Sequence, residues 1–213
     1  MRTKSMIAIE HLSIRFQDLL VLDDFSLSLA KGEKVVVSGR SGSGKSTLLQ
    51  ALLGFVEIGQ GEIRVDGLKL GPETIQEIRQ RIAWLPQELG LALPTGGELF
   101  YYPYTFKKNR ELRPDWASVR AMLDRLDLPG DILQKRSFEI SGGQKQRLLA
   151  ASLLFMKRPL MLLDEPTAAL DRHSAKLLLA AVSDMEETTV LAATHDPRWK
   201  EGLDRNVELE ARA

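Results

Sequence analysis

The sequence predicts an α/β protein with an N-terminal antiparallel β subdomain and an α-helical insert. Apolar residues alternate with polar ones over 7–16 and 25–29, which is typical of half-buried strands in an antiparallel sheet. Unbroken apolar runs at 34–38, 160–163 and 189–194 are typical of strands that are covered on both faces. A core sheet of buried strands and a second, half-exposed sheet are therefore expected in one chain.

Local signals predict the elements between these strands. The Gly-rich turn after 34–38 leads into a helix over 45–53, which Gly54 ends. Further strands are expected at 62–66 and 81–85.

The middle of the chain is expected to be mostly helical. Residues 89–109 are rich in Pro, Gly and aromatic residues, and helices are expected over 114–126 and from Ser141. The α/β pattern then returns with a helix over 172–187. We expect residues 1–213 to form a single domain. Its core is expected to comprise about 1–87 and 141–213, and its helical subdomain about 88–140.

Composition excludes several classes of function. The 213 residues include 29 Lys and Arg and 29 Asp and Glu, so the formal net charge is zero and we expect no nucleic-acid partner. There are no cysteines, which excludes disulfides, thiolate metal sites and Cys nucleophiles. No apolar run approaches the roughly 20 residues that cross a bilayer, and the start lacks a signal-peptide core. We therefore expect an intracellular protein.

Residues 39–46 fit the phosphate-binding pattern G-x-x-x-x-G-K-[ST] between a strand and a helix. The glycines let backbone N–H groups point into one concavity, and the helix adds its positive end. A chance match by a Gly- and Ser-rich turn is the alternative, which the strand–turn–helix context disfavours. The expected nucleotide-binding residues of this loop and the helix start are Gly39, Arg40, Ser41, Gly42, Ser43, Gly44, Lys45, Ser46 and Thr47.

Two carboxylates follow the buried strand at 160–163. Asp164 at the end of such a strand is suited to position Mg²⁺ opposite the phosphate loop, where the Ser46 hydroxyl is a second ligand. Glu165 is the candidate to polarise an attacking water. An acidic turn after a core strand is the alternative, and the phosphate loop favours the functional interpretation.

The stretch from Ile140 to Gln144 narrows the class. Ser141 and Gln144 have the spacing of a helix capping box, so a well-started helix is one interpretation. The glycines at 142 and 143 indicate that capping is not their only role. They add nothing to a helix cap, but they leave backbone N–H groups open to an anion. These residues resemble the signature sequence of ATP-binding cassette (ABC) ATPases. The resemblance implies a P-loop NTPase (RecA-like) core.

Four further positions match that family in order, from about residue 6 to residue 209. Phe16 resembles the aromatic residue that stacks on adenine, and Gln87 resembles the Q-loop glutamine. Residues 168–171 resemble the D-loop, and His195 resembles the switch histidine. Three of the four have a structural alternative: Phe16 could be a core residue, Gln87 a solvated turn residue and His195 a structural one.

Two positions depart from the family pattern. Ile140 stands where Leu is commoner, which is a conservative change. Ser152 stands where many members carry Arg, which puts any salt bridge from that position in doubt.

The resemblance implies an ATPase that works as a head-to-tail dimer, either of two copies or with a paralogous subunit. ATP bound by one subunit would meet the signature helix of the other, and that helix start would neutralise γ-phosphate charge that ADP lacks. The implied cofactors are ATP and Mg²⁺. The implied residues are Ser141, Gly142, Gly143 and Gln144 across the dimer, Ser46, Gln87 and Asp164 at the metal, and Lys45, Glu165 and His195 in catalysis.

Transport is the leading expectation for what hydrolysis drives. The chain would act at the cytoplasmic face of the inner membrane, on membrane subunits encoded on separate chains. Tyr101, Tyr102 and Tyr104 fall where the family grips a membrane subunit, although packing inside the insert explains them equally well. Residues 100–109 also faintly resemble bacterial iron- and metal-export ATPases. A soluble ABC ATPase, for example of the iron–sulfur assembly type, is the alternative.

Overall fold

The computed structural model describes residues 5–17, 19–88, 90 and 92–210. Leu89 and Leu91, from the Pro- and Gly-rich stretch, lie outside the described residues, as do both chain ends. The described residues belong to two compact units: the first draws on 1–84, 158–165 and 186–213, and the second on 85–157 and 166–185.

The strands are β1 (Ser5–Phe16), β2 (Leu19–Ala30), β3 (Lys34–Ser38), β4 (Gln60–Val65), β5 (Leu68–Lys69), β6 (Ile82–Leu85), β7 (Leu160–Asp164), β8 (Thr189–Ala193) and β9 (Arg205–Glu208). The α-helices are α1 (Lys45–Leu52), α2 (Ile75–Gln80), α3 (Gly96–Tyr101), α4 (Trp116–Arg125), α5 (Gly142–Phe155), α6 (Arg172–Ser183) and α7 (Pro197–Gly202). Short 3₁₀ helices lie at Tyr102–Thr105, Lys107–Leu112 and Ser137–Glu139.

The first unit contains an antiparallel sheet in the order β2-β1-β4-β5. Its central strand β1 buries Ile7 and Ile9 on one face, opposite Leu29 and Leu27 of β2. The pairing with β2 is irregular between Ile9 and Leu12, where His11 has a left-handed backbone. The alternation that the sequence shows therefore does form half-buried antiparallel strands, as predicted.

The first unit also contains a sheet in the order β6-β7-β8-β3-β9. Its central strands β3, β7 and β8 are buried at every residue, and the β7–β8, β3–β8 and β3–β9 pairs are parallel. Parallel strands end at the same edge of a sheet, so the segments that follow β3, β7 and β8 emerge side by side. This sheet and the antiparallel one confirm the predicted fold class.

The second unit is helical. Its helix α5 is buried from Gln146 to Leu154, and α3, α4 and α6 pack against it. Tyr104 is 4% exposed and its hydroxyl donates to the Ser152 carbonyl, while the Ser152 hydroxyl donates to the Phe100 carbonyl. Burial raises the pKa of Tyr104 to about 12, so this phenol remains a donor. Ser152 therefore has a packing role of its own in place of the family's arginine.

Over residues 5–17, 19–88, 90 and 92–210, no helix combines the length and the apolar character that crossing a membrane requires.

Candidate functional site

The phosphate loop lies between β3 and α1, and the local packing requires glycine in it. A Cβ on Gly39 would lie 2.5 Å from the Leu209 carbonyl oxygen, closer than any side chain tolerates. Gly44 has a φ of +94°, and a Cβ there would lie 3.0 Å from the side chains of Val21 and Leu22. No described side chain caps the start of α1, so its first N–H groups remain for a ligand.

The loop holds a buried cation. Lys45 Nζ donates to the carbonyls of Gly39 (3.0 Å) and Arg40 (3.1 Å), and it lies 4.0 Å from Glu165 Oε1. Ser43 Oγ is buried, and no described residue gives it a hydrogen bond. A buried ammonium, an unpartnered hydroxyl and an uncapped helix start form a cradle that suits phosphate oxygens.

Ser46 and Asp164 meet at the start of α1 and the end of β7. Ser46 Oγ donates to Asp164 Oδ1 at 2.9 Å. Burial raises the pKa of Asp164 above its ordinary value, and the Ser46 hydrogen bond opposes that rise. A hydroxyl and a carboxylate are hard oxygen ligands of the kind that Mg²⁺ takes, together with substrate phosphates and water. The described residues hold no group of three or more His, Cys, Asp or Glu that could bind a metal, so this pair fits Mg²⁺ only alongside phosphate oxygens.

Glu165 follows β7 and faces the residues that follow β8. His195 Nδ1 lies 3.0 Å from Glu165 Oε2 and 3.2 Å from Oε1. Because an ionised carboxylate only accepts, the imidazole is the donor in this pair. The Glu165 side chain is buried, whereas that of His195 is 73% exposed. The buried carboxylate is thus held close to Lys45, beside an imidazole that ligands can reach.

Phe16 lies at the end of β1 and is 47% exposed. A side chain this exposed is not part of the core, so the alternative that Phe16 is a core residue is wrong. Its exposed ring is consistent with stacking on a base. Adenine stacking itself stays a prediction.

Gln87 and the signature residues belong to the second unit. Gln87 is exposed, and its predicted contact with the metal stays a prediction. Ser141 begins α5 with a capping box: Gln144 N–H donates to Ser141 Oγ (3.2 Å), and Ser141 N–H donates to Gln144 Oε1 (3.0 Å). The capping interpretation of these two residues is therefore correct, but it does not explain the glycines between them.

The structure gives Gly143 a packing role against the D-loop. A Cβ on Gly143 would lie 2.6 Å from the Ala169 carbonyl oxygen, whereas the nearest atom to a Cβ on Gly142 is 4.0 Å away. Gln146 Oε1 also accepts from the Ala169 N–H at 3.4 Å. The start of α5 and the D-loop backbone therefore fit closely only with glycine at 143.

Gly143→Ala is expected to lower the free energy of unfolding by about 1–3 kcal/mol, because a methyl group is forced against a backbone carbonyl. Gly142→Ala is the matched control, one residue earlier on the same helix. It should raise the free energy of unfolding by about 0.5 kcal/mol through the unfolded state. Urea denaturation of both variants tests the pair, and equal free energies would contradict the packing role.

Two residues beside the site were not among those predicted from the sequence: Thr194, which contacts Glu165, and Gln146, which contacts the D-loop. Thr194 directly precedes His195, and Gln146 follows the signature; these positions beside known motifs were the available signals.

Comparisons with known proteins identify the family of the chain. Residues 22–168 match the family described as ABC transporter. An ATP-dependent lipid A-core flippase of Burkholderia pseudomallei is 36% identical over 89% of this chain, but over only 32% of its own length. The chain thus spans about a third of the length of such flippases. A putative ABC transporter ATP-binding protein of Gloeobacter violaceus is 36% identical over 89% of this chain and 79% of its own length.

Solved structures share the fold. A dimeric bacterial ABC transporter cassette matches with a TM-score of 0.84 and 25% identity, over 97% of this chain and 95% of its own. An Atm1-family ABC exporter with ATP bound has a TM-score of 0.84 at 23% identity, over 100% of this chain and 39% of its own. The predicted ATP-binding cassette is therefore confirmed, and the chain belongs to the ABC transporter family.

Proposed function

We propose that this chain binds and hydrolyses ATP with Mg²⁺ and drives a membrane transporter. One observation carries the enzymatic part: the ends of β3, β7 and β8 bring the phosphate loop, Lys45, Asp164, Glu165 and His195 together. A buried cation, two carboxylates and an exposed imidazole on adjacent strand ends suit phosphoryl transfer to water.

Each side chain has a distinct role in this proposal. Lys45 and the loop N–H groups bind the outer phosphates and offset their charge. Ser46 and Asp164, with Gln87 by resemblance, would hold Mg²⁺, which supplies further neutralisation of phosphate charge when bound. Glu165 orients a water and accepts its proton, and His195 donates a hydrogen bond to the γ-phosphate.

We further propose that two cassettes close on ATP head to tail. Ser141 and Gly142 are exposed at the start of α5, where helix N–H groups can meet an anion. A related bacterial cassette of nearly the same length has been solved as a dimer. The second cassette is a copy of this chain or a paralogous subunit.

Transport is the favoured use of this cycle, at the cytoplasmic face of the inner membrane. The relatives named above are an ATP-dependent lipid A-core flippase and a putative ABC transporter ATP-binding protein. An energy-coupling factor transporter ATP-binding protein of Bacillus licheniformis is also 30% identical over 99% of this chain and 77% of its own length. The substrate of such a transporter would be contacted by its membrane subunits. The soluble ABC ATPase alternative has no observation in its favour.

The aromatic residues between 101 and 106 differ in exposure and contacts. Tyr104 is buried and hydrogen-bonded, so it packs inside the helical unit. Tyr102 is only partly buried and stacks edge-on against Phe106 at 5.6 Å, and Phe106 is 54% exposed. Tyr101 lies under the Arg113 guanidinium at 4.0 Å. We propose that Tyr102 and Phe106, and not Tyr104, contact a membrane subunit.

Affinity purification from gently solubilised membranes tests the transport proposal. The tagged chain should retain a multispan membrane protein, and Tyr102→Ala with Phe106→Ala should reduce its recovery while MgATP turnover of the isolated chain persists. Thr105→Ala, between them and exposed, is the control. Recovery of soluble partners alone would overturn transport and leave the ATPase assignment standing.

A further inference from the structure

We propose that Thr194 is a positioning residue that holds the Glu165 carboxylate where it can accept a proton from the attacking water. This inference rests on the proposed function, because it requires Glu165 to act on that water. Thr194 lies outside the motif residues named above, and both Thr194 and Glu165 belong to the first unit.

The hydrogen bonds of Thr194 determine which way its proton points. Thr194 Oγ1 accepts from the Asp196 N–H at 3.2 Å and lies 3.1 Å from Glu165 Oε2. A hydroxyl has a single proton and a carboxylate can only accept. The proton of Thr194 is therefore donated to Glu165, and the Asp196 N–H occupies an acceptor site on the same oxygen.

The backbones that carry both side chains are held by the parallel sheet. Thr194 N–H donates to the Val37 carbonyl at 3.1 Å, and Glu165 N–H donates to the Ala193 carbonyl at 2.8 Å. Asp196 caps the start of α7, where its Oδ1 accepts from the backbone N–H and the Nε of Arg198. The donor and the acceptor are thus attached to a rigid frame, and their separation is set by strand pairing.

Glu165 needs such an anchor because its backbone is unfavourable. Its φ of +44° lies in the left-handed region, which non-glycine residues adopt only where the surroundings determine it. The carboxylate of this residue is held by hydrogen bonds at its oxygens. Thr194 and His195 are two such contacts.

These two contacts differ in permanence. The His195 side chain is 73% exposed, and it can turn towards a phosphate oxygen. Thr194 is 0% exposed, its N–H is bonded to Val37 of β3 and its hydroxyl to the Asp196 N–H, so it stays in place. When the imidazole is recruited by ATP, Thr194 is the donor that keeps the carboxylate in place.

Thr194→Val is the direct test, since it replaces the hydroxyl by a methyl group of similar size. Thr194→Val also removes the bond from the Asp196 N–H. We expect kcat for MgATP to fall about tenfold to a hundredfold, the effect of losing the bond to the charged Glu165 carboxylate, with KM unchanged. Thr194→Ser keeps the hydroxyl, and its kcat should lie within about threefold of that of the unmodified protein. A threefold change corresponds to about 0.65 kcal/mol in activation free energy.

Thr189→Val is the matched control: Thr189 begins β8, and Thr194 directly follows the last residue of that strand. Thr189 is also 0% exposed, and its hydroxyl accepts from the Gly32 N–H instead of facing the site. It should leave kcat unchanged. If Thr194→Val does not fold, Thr194→Ser still tests the inference. A folded Thr194→Ser variant whose kcat is tenfold lower would show that the methyl group matters and the hydroxyl does not.

Glu165→Gln separates this inference from the proposed function. If Thr194 acts through Glu165, Thr194→Val should lower kcat no further in a Glu165→Gln background. Normal kcat in Thr194→Val, or an equal loss in the presence and absence of Glu165, overturns the inference. Normal kcat in Glu165→Gln overturns the proposed role of Glu165 instead.

Discussion

Glu165→Gln is expected to lower ATP turnover about a hundredfold to ten-thousandfold, the usual contribution of a general base, while ATP binding is retained. The amide has the shape of the carboxylate, and its oxygen can still accept from Thr194. It cannot take a proton from water, so the reaction stalls with ATP bound. Turnover at saturating MgATP and calorimetric ATP binding measure the two halves of this prediction.

A stalled variant should also accumulate as a dimer. ATP bridges two cassettes in the proposed cycle, so blocking hydrolysis preserves the bridge. Sedimentation with ATP should show a dimer for Glu165→Gln, and ADP should not support it. Unchanged turnover would remove Glu165 from its role.

Glu33→Gln is the matched control for this substitution. Glu33 directly precedes β3, at the end of the strand opposite the phosphate loop, and its carboxylate accepts from the Ala30 N–H and from Arg205. It loses the same charge in the same unit without touching the site. Its turnover should match that of the unmodified chain.

The candidate site was predictable because its residues follow buried strands. An unbroken apolar run identifies such a strand, and parallel pairing then brings the residues after each run to one edge. Lys45, Asp164, Glu165 and His195 could therefore be grouped before any coordinates were known. Their contacts could not, because a distance such as the 3.0 Å between His195 Nδ1 and Glu165 Oε2 depends on strand register and rotamer.

Helix α3 shows how local rules can conflict. Gly96 and Gly97 favour a loop, and no helix was predicted for this stretch. The structure starts α3 there with a capping box in which Glu98 N–H donates to Thr95 Oγ1. The glycines serve packing: a Cβ on Gly96 would lie 2.2 Å from the Ile132 carbonyl oxygen. A contact made by a residue so distant in sequence leaves no local signal.

Strand β9 was missed for a different reason. Its residues are mostly exposed and include Arg205 and Asn206. The segment therefore lacks the alternation of apolar and polar residues that predicts a strand. Position at the edge of the sheet explains this composition, since only one side of an edge strand pairs with a neighbour. Backbone pairing with β3 forms the strand, and backbone pairing is not visible in side-chain patterns.

Lys45→Ala is expected to weaken ATP binding about tenfold to a hundredfold, as the loss of a charged hydrogen-bond donor to phosphate does. The Lys45 side chain is 8% exposed and points at the loop carbonyls of Gly39 and Arg40, so its charge lies where the outer phosphates are proposed to bind. Calorimetry with ATP measures the change. Lys69→Ala is the control, because Lys69 is exposed and pairs with Glu62.

A second substitution separates charge from packing. Lys45→Met keeps most of the aliphatic stem and removes the ammonium, so it should lose as much ATP affinity as Lys45→Ala if charge is responsible. Burial raises the pKa of Asp164 and the Lys45 ammonium opposes that rise, so both variants should shift the pKa of Asp164 further upward. Wild-type affinity in Lys45→Met would show that the stem, and not the charge, binds the nucleotide.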